Sequence, residues 1–236
     1  MKRSSDGHRR HAARPLPHFD FVTDRHQRLR SARLYLVCDD QPEERVAAAL
    51  AGGVDIVQLR MKTARDEEIV TAGRRFAAAA ADHGALFILN DRPDLVAATG
   101  ADGVHVGQDD TPVADARAIV GPARLVGLST HSSAQVDAAA GAPVDYIGVG
   151  PVHETPTKPG QPAVGLELVR YAAAHASIPF FAIGGISAAN VHVVREAGAT
   201  RIAVVRALTE ADDVERAAHV LRAAIATAEV RVGVAQ

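Results

Sequence analysis

From residue 34 onward the chain alternates short apolar runs with longer segments in which apolar residues recur three and four positions apart. The runs are LYLVC (34–38), DIVQL (55–59), LFIL (86–89), GVHVG (103–107), RLVGL (124–128), DYIGVG (145–150), PFFAIGG (179–185) and RIAVV (201–205). Short continuous runs rich in β-branched residues predict strands buried on both faces. The segments between them, such as Ile69, Ala72, Phe76 and Ala80, or Val214, Ala218, Leu221 and Ile225, keep the helical period. Helix starts are marked by Thr111 followed by Pro112, by Ser132 with Gln135 three positions on, and by Ser187. The units average about 25 residues, enough for a strand, a helix and two short loops. Eight strands alternating with helices imply a parallel sheet, and eight units imply closure as a (β/α)8 TIM barrel. No GxGxxG follows the first run, as an open dinucleotide-binding sheet would require. The expected organisation is an N-terminal extension over 1–33, a barrel over 34–229 and a tail over 230–236.

Composition narrows the partners. The chain has 236 residues, a net charge of −2, no Trp and 4% aromatics, which leaves little provision for stacking on bases. Residues 1–33 hold nine Lys/Arg against three Asp, so the barrel segment is acidic and offers no bulk basic surface to nucleic acid. The extension lacks a continuous apolar stretch, so neither a secretory signal nor a membrane span is expected, and its polarity predicts disorder. Its three acids and two prolines also argue against an organelle transit peptide. A single cysteine, Cys38, cannot form an internal disulfide; its apolar run predicts a buried thiol, and a reducing cytoplasm is the expected location.

In such a barrel, chemistry gathers at the C-terminal strand ends. Those ends carry Gln58, Arg60 and Lys62; Asn90 and Asp91; His105, Gln108, Asp109 and Asp110; Ser129, Thr130 and His131; Gly184 and Gly185; Val205 and Arg206. The sixth strand opens into GPVHETPTKPG (150–160), which stiffens Thr155, Thr157 and Lys158 between prolines and glycines. Each element has a plainer use, since QLRMK suits a solvated turn, ILND an Asx turn and GQDD a helix cap. All of these plain uses would have to coincide at one end of one barrel. Read together, Arg60, Lys62 and Lys158 are cations beside the carboxylates Asp91 and Asp110, with no His or Cys cage. Such a set suits Mg²⁺ held with a pyrophosphate. IGGIS and VVRAL suggest a second phosphate site after the last two strands. Two anion sites imply two small-molecule substrates.

The motifs QLR.K, ND, HVGQ.D, G.STH, GP....T.TK and IGGI, in this order from about Leu34 to about Ile225, make the chain resemble the thiamine phosphate synthase family. The resemblance implies coupling of an aminopyrimidine diphosphate to a thiazole phosphate, with loss of pyrophosphate and capture of a pyrimidinylmethyl cation. It also implies that Gln58, Arg60, Lys62, Asn90, Ser129 and Lys158 hold the diphosphate, with Lys158, Ser129 and Arg60 aiding its departure. Asp91 and Asp110 would bind Mg²⁺, and Thr155, Pro156, Thr157, Gly185, Val205 and Arg206 would hold the thiazole phosphate. Met61 stands where the family usually has an acid, and Arg206 where it often has Ser; neither removes a donor the site needs. A related thiazole tautomerase, which isomerises and does not couple, would need neither QLR.K nor the two carboxylates. A non-catalytic sensor would bind without turnover. A homo-oligomer is compatible with the sequence.

Overall fold

The computed structural model describes residues 21–155 and 162–226. Eight parallel strands close into one barrel in sequential order: β1 (Leu34–Cys38), β2 (Ile56–Leu59), β3 (Leu86–Asn90), β4 (Gly103–Val106), β5 (Leu125–Thr130), β6 (Tyr146–Val149), β7 (Phe180–Ile183) and β8 (Ile202–Val204), with β8 pairing back to β1. Around it lie α1 (Phe21–Ser31), α2 (Glu43–Ala51), α3 (Asp66–Asp82), α4 (Val96–Thr99), α5 (Val113–Val120), α6 (Ser133–Ala139), α7 (Gly165–His175), α8 (Val191–Glu196), α9 (Arg206–Thr209) and α10 (Val214–Ala226). Every apolar run became a strand, because a strand whose two faces both meet apolar neighbours has no use for alternation.

Two cores result. One lies between strands and helices and takes residues such as Leu36, Val57, Phe87, Val104, Ile147 and Ala182. The other fills the barrel lumen and takes the opposite parity: Tyr35, Val37, Ile56, Leu86, Ile88, Leu125, Tyr146, Phe181 and Ala203. Tyr35 and Tyr146 each set an edge against Phe181, with ring centroids 5.3 and 5.8 Å apart, a geometry that favours aromatic pairs. Room for Tyr146 comes from Gly127, where a Cβ would lie 2.2 Å from Tyr146 Cζ and 2.5 Å from His105 Nδ1.

The expectation of disorder over 1–33 is corrected for its last third. Residues 21–31 form α1, and Leu29 and Ala32 close the floor of the lumen, 2% and 1% exposed. Arg25 pairs with Asp102 at 2.7 Å, His26 meets Asp145 at 2.9 Å and Arg28 donates to the Ala85 carbonyl. The helix is held by polar contacts to strand feet, so it has almost no apolar stripe to read. A smaller correction concerns Ser187: it forms a turn, its N–H donating to Asn190 Oδ1, and α8 begins only at Val191. The other two starts are close to expectation, with Ser132 Oγ accepting the Gln135 N–H and α5 following Pro112. Helix α10 is described to Ala226, and the remainder of the expected barrel and tail lies outside the described residues. Among the described residues no helix is long and apolar enough to cross a membrane.

Candidate active site

Strand parity decides which side chains reach the cavity. Side chains two apart share a face, so the lumen positions include Val37 on β1, Gln58 on β2, Ile88 and Asn90 on β3, His105 on β4, and Gly127 and Ser129 on β5. The polar members sit toward the C-terminal ends, above the apolar floor. They line a cavity of about 390 Å³ together with Arg60, His131, Thr155, Gly185, Val205 and Arg206. Eight of the residues expected from the sequence thus share one cavity: Gln58, Arg60, Asn90, Ser129, Thr155, Gly185, Val205 and Arg206. Pro156, Thr157 and Lys158 lie outside the described residues.

Lys62, Asp91 and Asp110 gather at the rim beside Asn90 and do not line the cavity itself. Lys62 Nζ is 2.9 Å from Asp91 Oδ2, with the lysine side chain about half exposed and the aspartate largely covered. Asp110 accepts the Gly107 N–H through Oδ2 and shares a hydrogen bond with Asp91. Asp91 occupies the left-handed region at φ 59°, an uncommon setting for a residue with a Cβ, and its N–H donates to the His105 carbonyl at 2.8 Å. Burial pushes its carboxyl above the usual carboxylate range, and Asp110 pushes it the same way, while Lys62 opposes both. Two crowded carboxylates of which one resists ionisation are stabilised by a cation. Their donors are all oxygen, and no group of three or more His, Cys, Asp or Glu forms a metal cage among the described residues. The pair fits a hard divalent ion that completes its shell with water and ligand oxygens.

Asn90 Nδ2 is buried without a hydrogen-bond partner. Asn90 also lines the cavity, and a buried donor left without a partner is costly. On the far side, Gly184 and Gly185 take φ 109° and 63°, and a Cβ on Gly184 would sit 2.5 Å from Pro151 Cα. Only glycine lets the chain after β7 lie this close to the loop after β6, where the Val152 and His153 N–H groups bond to the Ile183 and Gly184 carbonyls. Gly185, Val205 and Arg206 therefore form one wall of the cavity, and Thr155 stands on the loop those bonds tether.

The sequence reading passed over Tyr35 and Tyr146. It inspected strand ends, whereas these rings rise from below: Gln58 Nε2 donates to Tyr35 Oη, Tyr35 and Tyr146 hydroxyls meet at 3.0 Å, Tyr146 Oη meets His105 Nδ1 at 3.2 Å, and His105 Nε2 meets Ser129 Oγ at 3.0 Å. Two tyrosines at lumen parity were the available signal. Cys38 is buried, and burial pushes its thiol up out of the reactive range, so it is a structural residue.

Residues 34–208 match the family model described as thiamine monophosphate synthase. The thiamine-phosphate synthase of Mycobacterium marinum is 51% identical over 221 residues, covering 86% of this chain and 99% of that protein. That of Nostoc punctiforme is 52% identical over 190 residues, covering 80% of this chain and 54% of that protein, so the chain spans about half the length of this relative. Among solved structures, thiamine phosphate pyrophosphorylase from Pyrococcus furiosus superposes with a TM-score of 0.77 at 33% identity, covering 85% of this chain and 96% of that one. With its barrel, its lumen-facing polar set and its paired rim carboxylates, the chain belongs to the thiamine monophosphate synthase family.

Proposed function

We propose that the protein is a thiamine phosphate synthase, a transferase that joins an aminopyrimidine diphosphate to a thiazole phosphate and releases pyrophosphate. The single observation that carries this reading is Asp91, paired with Lys62 and hydrogen-bonded to Asp110, at the rim of a cavity lined by Asn90. A tautomerase has no need of that cluster.

The chain's own residues would act by position and charge, since no nucleophilic Ser or Cys is required. Asn90 and Gln58 present amides to the pyrimidine diphosphate, Arg60 and Lys62 offset charge as it collects on the departing pyrophosphate, and Ser129 offers it a hydroxyl. Lys158, on the sequence reading, adds a further ammonium. Gly185, Val205 and Arg206 hold the thiazole phosphate, and Thr155 keeps it in line with the cation it captures. Asp91 and Asp110 would hold Mg²⁺, which when bound neutralises the diphosphate and makes it a better leaving group. Apolar wall residues such as Ile183 and Ala203 lower the local dielectric and strengthen the interactions inside the cavity. Both substrates are small molecules, and the reading places the reaction in the cytoplasm.

The test is pyrophosphate release measured with each substrate alone and with both, in Mg²⁺. Thiamine phosphate formed in equal amount with pyrophosphate supports the reading. Isomerisation of the thiazole without coupling would replace the synthase by the tautomerase, and binding without turnover would replace it by a sensor.

A further inference from the structure

Five side chains from five strands form a hydrogen-bonded line across the lumen: Gln58, Tyr35, Tyr146, His105 and Ser129. The proton count along it allows one direction. Gln58 Nε2 can only donate, so Tyr35 Oη accepts from it. Tyr35 and Tyr146 are both wholly buried, and a buried hydroxyl proton without an acceptor is costly. Tyr35 therefore donates to Tyr146, and Tyr146 donates to His105 Nδ1. If the line ran the other way, the Tyr35 proton would point at the Gln58 amide hydrogens. With Nδ1 accepting, the imidazole proton sits on Nε2 and is given to Ser129 Oγ. The proton of Ser129 is then left for an acceptor in the cavity that the residue lines.

We propose that Tyr35, Tyr146 and His105 are positioning residues: the line begun by the Gln58 amide fixes the His105 tautomer and thereby commits Ser129 to donate into the cavity, toward the pyrophosphate. This rests on the synthase reading only for the identity of the anion. Had the line the opposite sense, Ser129 would spend its proton on His105 and face the anion with lone pairs, which repel it. The site is built around this line, since Gly127 is the residue whose missing Cβ admits both Tyr146 and His105. Burial raises both tyrosine hydroxyls well above their ordinary range, so they stay protonated and the line keeps its sense at neutral pH.

Two measurements test it. The first is the ¹⁵N spectrum of His105 in the ligand-free protein, compared with Tyr146→Phe. The parent should show a protonated Nε2 and a bare Nδ1, and Tyr146→Phe should lose that preference; a parent with Nδ1 protonated overturns the proposal. The second is a double-mutant cycle on the affinity for pyrophosphate with Mg²⁺. A hydrogen bond to a charged group is worth roughly tenfold or more in affinity, so Ser129→Ala should weaken binding about tenfold in the parent and less than threefold in Tyr146→Phe. Equal losses in the two backgrounds overturn it, because a tyrosine that only packs would leave the serine's contribution unchanged. If Tyr146→Phe fails to fold, the parent ¹⁵N spectrum decides alone, a protonated Nδ1 overturning the proposal and a protonated Nε2 supporting it. A parent that does not bind pyrophosphate sinks the synthase reading, and the ¹⁵N result alone then decides the relay.

Discussion

The two ends of the barrel use aspartate in opposite ways. At the N-terminal end, Asp55, Asp102 and Asp145 each stand one residue before β2, β4 and β6 and accept backbone N–H groups from the foot of the preceding strand: Arg33 and Leu34, Phe87, and Val126. Each also pairs with an arginine, Arg222, Arg25 and Arg117 respectively. Charge, hydrogen bonds and strand register agree there, so these carboxylates staple neighbouring strands. At the C-terminal end, Asp91 and Asp110 crowd each other, one of them in a left-handed conformation, with Lys62 as partial relief. Carboxylates satisfied by the chain serve its stability, and on the proposed function carboxylates left in conflict await a ligand.

The largest effect expected from this contrast is on turnover. Asp91→Asn and Asp110→Asn keep size, and Asn tolerates the left-handed region, but each removes a charge from the pair proposed to hold Mg²⁺. Either should lower Mg²⁺-dependent turnover about 10³-fold, in keeping with several kcal/mol of metal-borne stabilisation, while circular dichroism stays unchanged. A variant with parental turnover at low Mg²⁺ would break the contrast at the top. At the bottom, Asp145→Ala strands the Val126 N–H and leaves Arg117 and His26 without their shared partner. The cost is about 2 to 3 kcal/mol, or roughly 5 to 10 °C in melting temperature, with KM for both substrates unmoved. Altered KM with an unchanged melting temperature would invert the two roles.

The smallest effect is the most diagnostic. Because the folded protein raises the Asp91 pKa, it binds more protons there than the unfolded chain as pH rises through the ordinary carboxylate range, so ionised Asp91 costs stability at neutral pH and nothing at pH below both values. Without metal, Asp91→Asn should raise the melting temperature by about 1 to 3 °C at pH 7, the gain vanishing under acid conditions. A loss at pH 7 would mean that the Lys62 pair outweighs the conflict.

Much of this was legible in advance, for reasons that differ by element. The eight strands could be read because burial on both faces leaves an uninterrupted apolar run, as in LYLVC. The rim residues followed once the barrel was recognised, since their place at strand ends is a matter of counting. The floor could not be read in the same way: α1 is anchored by Arg25, His26 and Arg28, and a helix held by polar contacts shows little hydrophobic period. Nor could the relay, because Tyr35 and Tyr146 lie in apolar runs where a tyrosine passes as core. Only strand parity shows that their hydroxyls face Gln58 and His105. The aspartates before β2, β4 and β6 had a signature, an Asp directly before an apolar run, whose meaning depends on each strand lying beside the one before it in sequence.

The claim that the top of the barrel is completed by a ligand is tested most directly by thermal unfolding with Mg²⁺ and pyrophosphate, added singly and together, to the parent and to Asp91→Asn. The parent should gain several degrees only when both are present, as binding to the folded state alone requires, and Asp91→Asn should gain little. Equal gains in the two proteins, or a full gain from pyrophosphate without Mg²⁺, would contradict the account.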